Sequence, residues 1–317
     1  MKLDNSPLRP TEHEARAALE RFLGASDFAL RPYPGGLRSN VYEATKGDGS
    51  RLVLRMGHGD TREHLKGSVH WASQLLPLDI PLPRILHAEL SGPLPYTIMS
   101  HIDGRHLGDA YRSLGAHGRK KIALQVAQLQ GAVSHLPLGV AFGHGLSADD
   151  PRLHSTWPAF LESQLVRSRE RIAQQGVFNP SVVDRAQRVL QPLEDYLASI
   201  LPTPFLSDTT LRNVLVGSSG LMGVVGVDSV CFGDPVLVLA LTQMSCLASG
   251  RSTDYVAHWA HEWSLSTRHR AALDAYTALF CVGAMAGMAM PPNGGSGGAE
   301  PTQAKRLEAI LRSLAGS

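Results

Sequence analysis

The chain has 317 residues, of which 43% are hydrophobic, and a formal net charge of +2. This length allows one large or two small globular domains. The small net charge argues against a nucleic-acid-binding protein, which usually carries a concentrated basic surface. The sequence also lacks the roughly 18 consecutive apolar residues that a membrane-spanning helix needs, so we expect no membrane partner.

Three further features favour a cytoplasmic protein without a structural metal. The first residues lack the long apolar core of a signal peptide. The cysteines are few and widely spaced, as expected for reduced, buried thiols: Cys231, Cys246 and Cys281. The 14 histidines are scattered and show no spacing typical of metal ligands.

A helix and a hairpin are predicted at the start of the chain. Residues 11–24 have an apolar face, and Thr11 with Glu14 fits a capping box at the helix start. Residues 40–45 and 51–56 alternate apolar and polar side chains on either side of a Lys-Gly-Asp-Gly turn. This pattern is typical of a β-hairpin.

The remaining elements shift from strands to helices near residue 100. A helix is predicted over 61–76, and residues 95–104 predict a buried strand that runs into a turn. Helical patterns then cover 115–135, 156–175, 180–201, 252–263, 269–288 and 302–315. Strands early and helices late indicate an α+β protein with two lobes.

A second hairpin carries isolated polar side chains near its ends. The apolar runs 213–216 and 221–227 are separated by a Gly/Ser turn. Asp208 lies before this hairpin, Asn213 at its entry and Asp228 just past its end. Because a hairpin brings its open ends together, we expect these side chains to converge. Carboxylate and carboxamide oxygens suit Mg²⁺, and a nearby carboxylate can accept the proton of a hydroxyl.

The pattern D-x-x-x-x-N, a hairpin and V-D-x-x-x-x-G-D-P resembles the catalytic and metal-binding segments of the aminoglycoside phosphotransferase family, small-molecule relatives of the protein kinases. The resemblance extends to LVLRMG, IPLPRIL and LPYTIMSHIDG and so covers most of the chain. It implies a protein-kinase-like bilobal α+β fold. The β-rich, nucleotide-binding N-lobe would span 1–98, the hinge 99–104, and the mostly helical C-lobe, catalytic and acceptor-binding, 105–317.

The resemblance also implies a role for each matching residue. Asp208 would be the catalytic base that faces the acceptor hydroxyl. Asn213 and Asp228 would hold Mg²⁺ against the phosphates of ATP or GTP, and Asp234 would brace the catalytic loop. The nucleotide would be bound by Gly35, Gly36, Ser39 and Asn40 over its phosphates, by Arg55 at the phosphates, and by backbone groups of Ser100 and Ile102 at its purine edge.

Taken singly, these residues have plainer explanations. An isolated Asp commonly caps a turn, a Gly-Gly pair commonly forms one, and Arg55 could lie on an exposed strand face. The matching order of Asp208, Asn213, Asp228 and Asp234 favours the catalytic interpretation.

The chain departs from the family pattern at several positions. Leu206 and Ser207 stand where the family usually has His-Gly. That histidine mainly packs and orients, so we expect Leu206 to fill its space with apolar atoms. Val238 replaces an Asp that the family often has. Glu63 is the only acid in its helix and lies far towards the N-terminus for a partner of Arg55.

The acceptor is predicted from the last 77 positions of the sequence. Polycationic aminoglycosides are expected to require carboxylates, yet residues 241–317 hold five acids, six Lys or Arg, and no acidic cluster. Apolar residues are plentiful there: Met244, Tyr255, Trp259, Trp263, Phe280, Met285, Met288 and Met290. We therefore predict phosphorylation of a neutral or amphipathic antibiotic, such as a nucleoside or a macrolide, as a resistance mechanism.

Other functions stay open at this stage. They are a kinase of aminoglycosides or cationic peptide antibiotics, a metabolic kinase of a sugar, choline or homoserine, and a nucleotide-binding pseudokinase. The lost His-Gly favours the pseudokinase, whereas the intact Asp208, Asn213 and Asp228 argue against it. The expected partners are a nucleotide and a small-molecule hydroxyl acceptor, with the chain a monomer or homodimer.

Overall fold

A computed structural model of the chain describes residues 10–33, 40–288 and 301–316. Its helices are α1 (Glu12–Leu23), α2 (Arg62–Leu75), α3 (Leu107–Ala110), α4 (Ala116–Val133), α5 (Trp157–Gln175), α6 (Val182–Leu190), α7 (Glu194–Ala198), α8 (Val236–Ala248), α9 (Asp254–Glu262), α10 (Thr267–Met285) and α11 (Pro301–Ala315). Its strands are β1 (Phe28–Pro32), β2 (Asn40–Lys46), β3 (Arg51–Met56), β4 (Ile85–Glu89), β5 (Tyr96–Ser100), β6 (Arg105–His106), β7 (Gly143–Gly145), β8 (Thr203–Leu206), β9 (Val214–Gly217), β10 (Gly220–Val224) and β11 (Val230–Gly233).

These elements confirm the predicted α+β division into a β-rich first part and a mostly helical second part. The lobe limits at residues 98 and 104 stay a prediction. Within the described ranges, no helix has the length and apolar content needed to cross a membrane.

The first part is built on a five-stranded antiparallel sheet with the order β1-β2-β3-β5-β4. Helix α1 packs on one face, where Leu19 and Leu54 are fully buried. Its predicted capping box is present, with the Thr11 hydroxyl accepting from the N–H of Glu14 at 3.2 Å. Because side chains alternate along a strand, Arg55 of β3 lies on the face opposite α1.

The second part has a large helical core and two three-stranded sheets, β10-β9-β6 and β7-β11-β8. The predicted second hairpin is β9 with β10. The predicted helix over 180–201 is wrong as one element, because a short 3₁₀ turn that contains Pro192 separates α6 from α7. The sequence patterns also missed α8, whose nearly uniform apolar run, including the fully buried Val238, has no helical periodicity.

Helix α2 joins the two parts of the molecule. Its Trp71 and Leu75 pack in one apolar cluster with Leu206 and Phe232 of the second part. The Trp71 indole N–H donates to the Gly145 carbonyl at 2.9 Å. The helix packs directly against the chain that follows the second hairpin, because a Cβ added at Gly67 would clash with the Asp228 carbonyl.

Candidate active site

The loop between β8 and β9 carries two of the predicted site residues. Asp208 is exposed, and its Oδ1 accepts from the Thr210 hydroxyl at 2.6 Å and from the Thr210 N–H at 3.3 Å. The Asn213 side chain donates to the Asp208 carbonyl at 3.1 Å. The N–H of Val225 donates to the Asn213 carbonyl at 2.9 Å, so the far end of the hairpin meets its entry. Local hydrogen bonds therefore fix the Asp208 carboxylate at the surface.

A buried glutamine on α4 supports this loop from below. Gln130 is only 2% exposed, and its Oε1 accepts from the Leu206 N–H at 2.9 Å. Its Nε2 donates to the Leu206 carbonyl at 2.9 Å and to the Thr209 hydroxyl at 3.0 Å. The Leu206 side chain is buried among apolar groups, which confirms the expected apolar filling. Sequence reasoning missed Gln130, because a lone glutamine in a helix gives no sign that it faces the core.

Arg55 of β3 forms an ion pair with Asp228 across the join between the two parts. Its two terminal nitrogens lie 2.7 Å and 2.9 Å from the two Asp228 carboxylate oxygens. The side chains are only 12% and 17% exposed. Glu63, the partner that the sequence left open, lies on the surface and binds Lys66 at 2.8 Å. On α2, the Ser68 hydroxyl lies 3.5 Å from the Arg55 Nη1.

The carboxamide of Asn213 faces a glycine. A Cβ added at Gly226 would lie 3.4 Å from both the oxygen and the nitrogen of that carboxamide. The backbone at Gly226 has a φ of +75°, in the left-handed region. Asn213 and Asp228 thus lie at the two ends of the same hairpin, but their side chains contact different neighbours. Within the described residues, no group of three or more His, Cys, Asp or Glu side chains could hold a metal ion.

The predicted nucleotide-binding residues are only partly described. Gly35, Gly36 and Ser39 lie outside the described residues, so their predicted role has no structural account. The Asn40 side chain donates to the Pro10 carbonyl at 2.8 Å, which directs it towards the segment before α1.

The two residues predicted at the purine edge lie at the end of β5. The Ser100 N–H donates to the Arg84 carbonyl at 2.9 Å, so this donor is already used within the protein. Ile102 follows in the irregular segment before β6 and is half-buried against β10. A purine edge would therefore have to be bound by backbone groups other than the Ser100 N–H.

A histidine in this segment ties it to the sheet. His101 Nε2 lies 3.4 Å from a Glu43 oxygen, and His101 Nδ1 lies 3.2 Å from an Asp103 oxygen. Tyr33 donates to Glu43 at 3.0 Å, and burial raises the pKa of this tyrosine. Sequence reasoning did not single out His101, since its partners come from two different elements.

Asp234 does not brace the catalytic loop through hydrogen bonds in the described structure, contrary to the prediction. Its Oδ2 accepts from the hydroxyls of Tyr196 at 2.6 Å and Tyr276 at 2.9 Å, and its Oδ1 accepts from the Val236 N–H at 3.0 Å. Burial raises the pKa of the Asp234 carboxyl, and these hydrogen bonds oppose the shift. Asp234 therefore joins α7 and α10 to the start of α8.

The apolar residues that suggested an acceptor site are mostly core residues. Tyr255, Trp259 and Met285 are fully buried among the helices. They cannot contact an acceptor, because helix packing already covers them. Met290 lies outside the described residues.

A cavity of about 500 Å³ lies between α3, the end of α8 and the start of α11. Its lining includes Arg112, Arg251 and Arg306, and among the described residues none of these arginines forms an ion pair. One wall reaches the loop that carries Asp208, since the Gly108 N–H donates to the Leu211 carbonyl at 2.8 Å. The lining also includes one acid, Asp109, so the three arginines leave the cavity next to this loop with a net positive charge.

Part of the chain matches a known protein family. The family described as the phosphotransferase enzyme family matches residues 29–276. No curated protein matches the chain in sequence.

Several solved structures share the fold. A thermostable mutant of aminoglycoside phosphotransferase APH(4)-Ia, in a ternary complex with ADP and hygromycin B, has a TM-score of 0.65 at 19% identity, over 95% of this chain and 99% of that chain. ADP-bound APH(2'')-Ib has a TM-score of 0.65 at 13% identity, over 96% and 98%. The GDP complex of wild-type aminoglycoside 2'-phosphotransferase-IIIa has a TM-score of 0.67 at 13% identity, over 96% and 97%. These similarities confirm the predicted protein-kinase-like fold.

Proposed function

Because the chain belongs to the phosphotransferase enzyme family, we propose that it transfers the γ-phosphate of ATP or GTP to a hydroxyl of a small-molecule antibiotic. The observation that carries this proposal is the loop around Asp208. Its carboxylate is exposed, held by Thr210, and fixed through its backbone to Asn213. A carboxylate held in this way can orient an acceptor hydroxyl and accept its proton.

The roles of the remaining residues follow from their charges and positions. Asp208 takes the proton of the acceptor hydroxyl. The hydroxyl oxygen attacks the γ-phosphorus, and the bond between that phosphorus and the nucleoside diphosphate breaks. Arg55 lies on the sheet face that meets the second part, where its positive charge can bind nucleotide phosphates. The Ile102 segment lies beside the sheet and supplies backbone groups for the purine.

We also propose Mg²⁺ as the ion that accompanies the nucleotide, with Asn213 as a protein ligand. When bound, Mg²⁺ neutralises charge on the phosphate oxygens. The Asn213 carboxamide fits this role, because its nitrogen donates to Asp208 and its oxygen remains as a hard ligand. Asp228, the second predicted ligand, accepts one hydrogen bond from Arg55 at each carboxylate oxygen, and each oxygen keeps a further lone pair that can bind the ion.

Either ATP or GTP is compatible as the donor, because the complexes of the solved relatives hold ADP or GDP. We propose a cytoplasmic location, where such donors are abundant and where the three buried, unpaired thiols would remain reduced. Whether the chain is a monomer or a homodimer stays a prediction.

For the acceptor, the basic cavity supports a neutral or amphipathic molecule over a polycation. Arg112, Arg251 and Arg306 outnumber Asp109, the one acid of the lining, and would repel the ammonium groups of an aminoglycoside. The apolar residues named from the sequence no longer support this proposal, because most of them are core. A nucleoside or macrolide antibiotic remains the proposed acceptor, and an aminoglycoside such as hygromycin B, the ligand of one structural relative, is the alternative.

A pool of antibiotics incubated with the protein, Mg²⁺, and ATP or GTP tests the proposal by mass spectrometry. The pool spans nucleosides, macrolides, aminoglycosides and cationic peptides, and Asp208→Asn is the control. We expect one nucleoside or macrolide to gain a phosphoryl group with the unmutated protein only. Phosphorylation of aminoglycosides instead would overturn the acceptor class but keep the reaction.

A nucleotide-binding pseudokinase is the second candidate, favoured by the engagement of Asp228 with Arg55. It would bind nucleotide in the same experiment and phosphorylate nothing. A metabolic kinase would phosphorylate sugars, choline or homoserine, so these compounds belong in a second pool.

A further inference from the structure

The cavity beside the loop of Asp208 carries an excess of positive charge. Its lining contains Arg112, Arg251 and Arg306 against a single acid, Asp109, which leaves a net charge of +2. Across the described ranges, none of the three guanidinium groups lies within ion-pair distance of a carboxylate. An anion in this cavity would therefore be attracted by more than one guanidinium.

Two of these guanidinium groups contact backbone carbonyls at the edge of the cavity. Arg251 Nη2 lies 3.4 Å from the Gly108 carbonyl oxygen, and Arg306 Nη1 lies 3.5 Å from the Ala248 carbonyl oxygen. Each contact uses one N–H group of a guanidinium that carries several, so donors remain for a ligand. A phosphate group can accept these donors in pairs, because its oxygens match the spacing of guanidinium N–H groups.

The size and lining of the cavity indicate that the anion carries an organic group. The volume of about 500 Å³ falls within the range of small-molecule sites, roughly 300–1,000 Å³, and a bare phosphate ion would fill only a small part of it. Asp109 and Ser249 can accept hydrogen bonds, and the Gln303 amide can both donate and accept. Among the described lining residues, Ala248 is the one apolar side chain. A hydroxyl-rich group fits these partners better than a hydrocarbon.

We infer that this cavity is a binding site for a phosphate monoester of a hydroxyl-rich molecule, such as a sugar phosphate, and that it is separate from the predicted nucleotide site. A phosphate monoester carries a charge of about −1.5 to −2 at pH 7, which complements the net charge of the lining. The lining includes neither Arg55 nor Asp208, Asn213 and Asp228. The inference concerns binding alone and does not depend on the proposed phosphoryl transfer.

Calorimetric titration of the full chain without nucleotide tests this inference. The probes are glucose 6-phosphate, ribose 5-phosphate and glycerol 3-phosphate, and the comparisons are their unphosphorylated parents and inorganic phosphate. We expect at least one probe to saturate one site per chain and to bind about tenfold or more tightly than inorganic phosphate, while the parents do not bind. Absence of binding by all three probes would overturn the inference. Equal affinity for inorganic phosphate would overturn the assignment of an organic group.

Arg112→Glu places the test in the cavity, because the Arg112 side chain is exposed and its reversal of charge should not disturb packing. The melting temperature should stay unchanged, and the affinity for the sugar phosphate should fall roughly tenfold or more. Arg251→Gln should weaken binding in the same direction. Arg171→Gln, exposed on α5 and outside the lining, is the matched control and should bind as the unmutated protein does. Unchanged affinity in Arg112→Glu would show that the probe binds elsewhere.

A saturating concentration of AMP-PNP with Mg²⁺ distinguishes this cavity from the nucleotide site. We expect the affinity for the sugar phosphate to stay within about threefold when AMP-PNP is bound, because the two sites share no lining residue. Loss of sugar phosphate binding under these conditions would assign the probe to the nucleotide site and overturn the inference. Arg112→Glu should also retain its affinity for AMP-PNP. All of these measurements record binding without turnover, so failure of this inference and failure of the proposed function are distinguished.

Discussion

Gln130 binds Leu206 through both ends of its side-chain amide, with each hydrogen bond at 2.9 Å. Leu206 is the last residue of β8, two positions before Asp208. The amide therefore hydrogen-bonds α4 to the strand that leads into the loop carrying Asp208. Its third hydrogen bond, to Thr209, extends this hold into the loop itself.

We expect Gln130→Met to weaken both stability and phosphoryl transfer. Methionine has a similar length but leaves buried backbone groups of Leu206 without partners, which is worth roughly 1–3 kcal/mol per group. The free energy of unfolding in urea should fall, and the rate of transfer should fall more than nucleotide affinity. Gln128→Met is the matched control, because Gln128 is exposed on the same helix. Equal losses in the two variants would contradict the role of Gln130.

Asp208→Asn should reduce phosphoryl transfer by roughly 10²- to 10⁴-fold, the usual contribution of a general base. The carboxamide oxygen can still accept from Thr210, so the loop and the nucleotide affinity should change little. The measurement is the initial rate with the acceptor identified by mass spectrometry, together with calorimetry of nucleotide binding. Asp195→Asn, on the exposed side of α7, should keep full activity. An unchanged rate in Asp208→Asn would remove Asp208 from the mechanism.

Gly67→Ala should displace α2 and destabilise the protein. An added Cβ would clash with the Asp228 carbonyl and lie 2.9 Å from a Leu146 methyl carbon, so the helix must move away from the site. Nucleotide affinity should fall together with stability, because the contact at Gly67 involves Asp228, which forms the ion pair with Arg55. Gly131→Ala in α4 is the control: nothing lies within 4 Å of its added Cβ. Its higher helix propensity should stabilise the chain by up to about 1 kcal/mol.

The stability contributed by Asp234 should depend on pH. Burial raises the pKa of its carboxyl in the folded state above the ordinary value of 3.8. Between the unfolded and the folded pKa, the folded protein therefore binds more protons than the unfolded chain. The free energy of unfolding falls as the pH rises through the folded pKa. Asp234→Asn lacks this titration, so the substitution should destabilise more near pH 4 than near pH 7 in chemical denaturation.

Tyr196→Phe provides the companion measurement for Asp234. It removes one hydroxyl that favours the charged carboxylate and should steepen the fall of stability with pH. A wild-type protein with the same pH dependence as Asp234→Asn would show that the carboxyl does not titrate as described.

Much of the fold was predictable because its signals are local. The capping box of Thr11 and Glu14 and the turn between β2 and β3 lie within a few residues, and the structure contains both. The order of Asp208, Asn213 and Asp228 around the second hairpin was readable for the same reason. Element types and the family resemblance therefore followed from short-range patterns.

The contacts between distant residues were decided by the tertiary structure alone. Arg55 and Asp228 are 173 positions apart, and Gln130 and Leu206 are 76 apart. No periodicity or spacing records which carboxylate a guanidinium will meet, or which face of a helix an amide will occupy, because both depend on how the elements pack. The same packing buries Tyr255 and Trp259, two of the apolar residues from which the acceptor was predicted. The sequence by itself determined the elements and the order of the polar residues, and the burial of charge and amide groups between those elements decided which residues became partners.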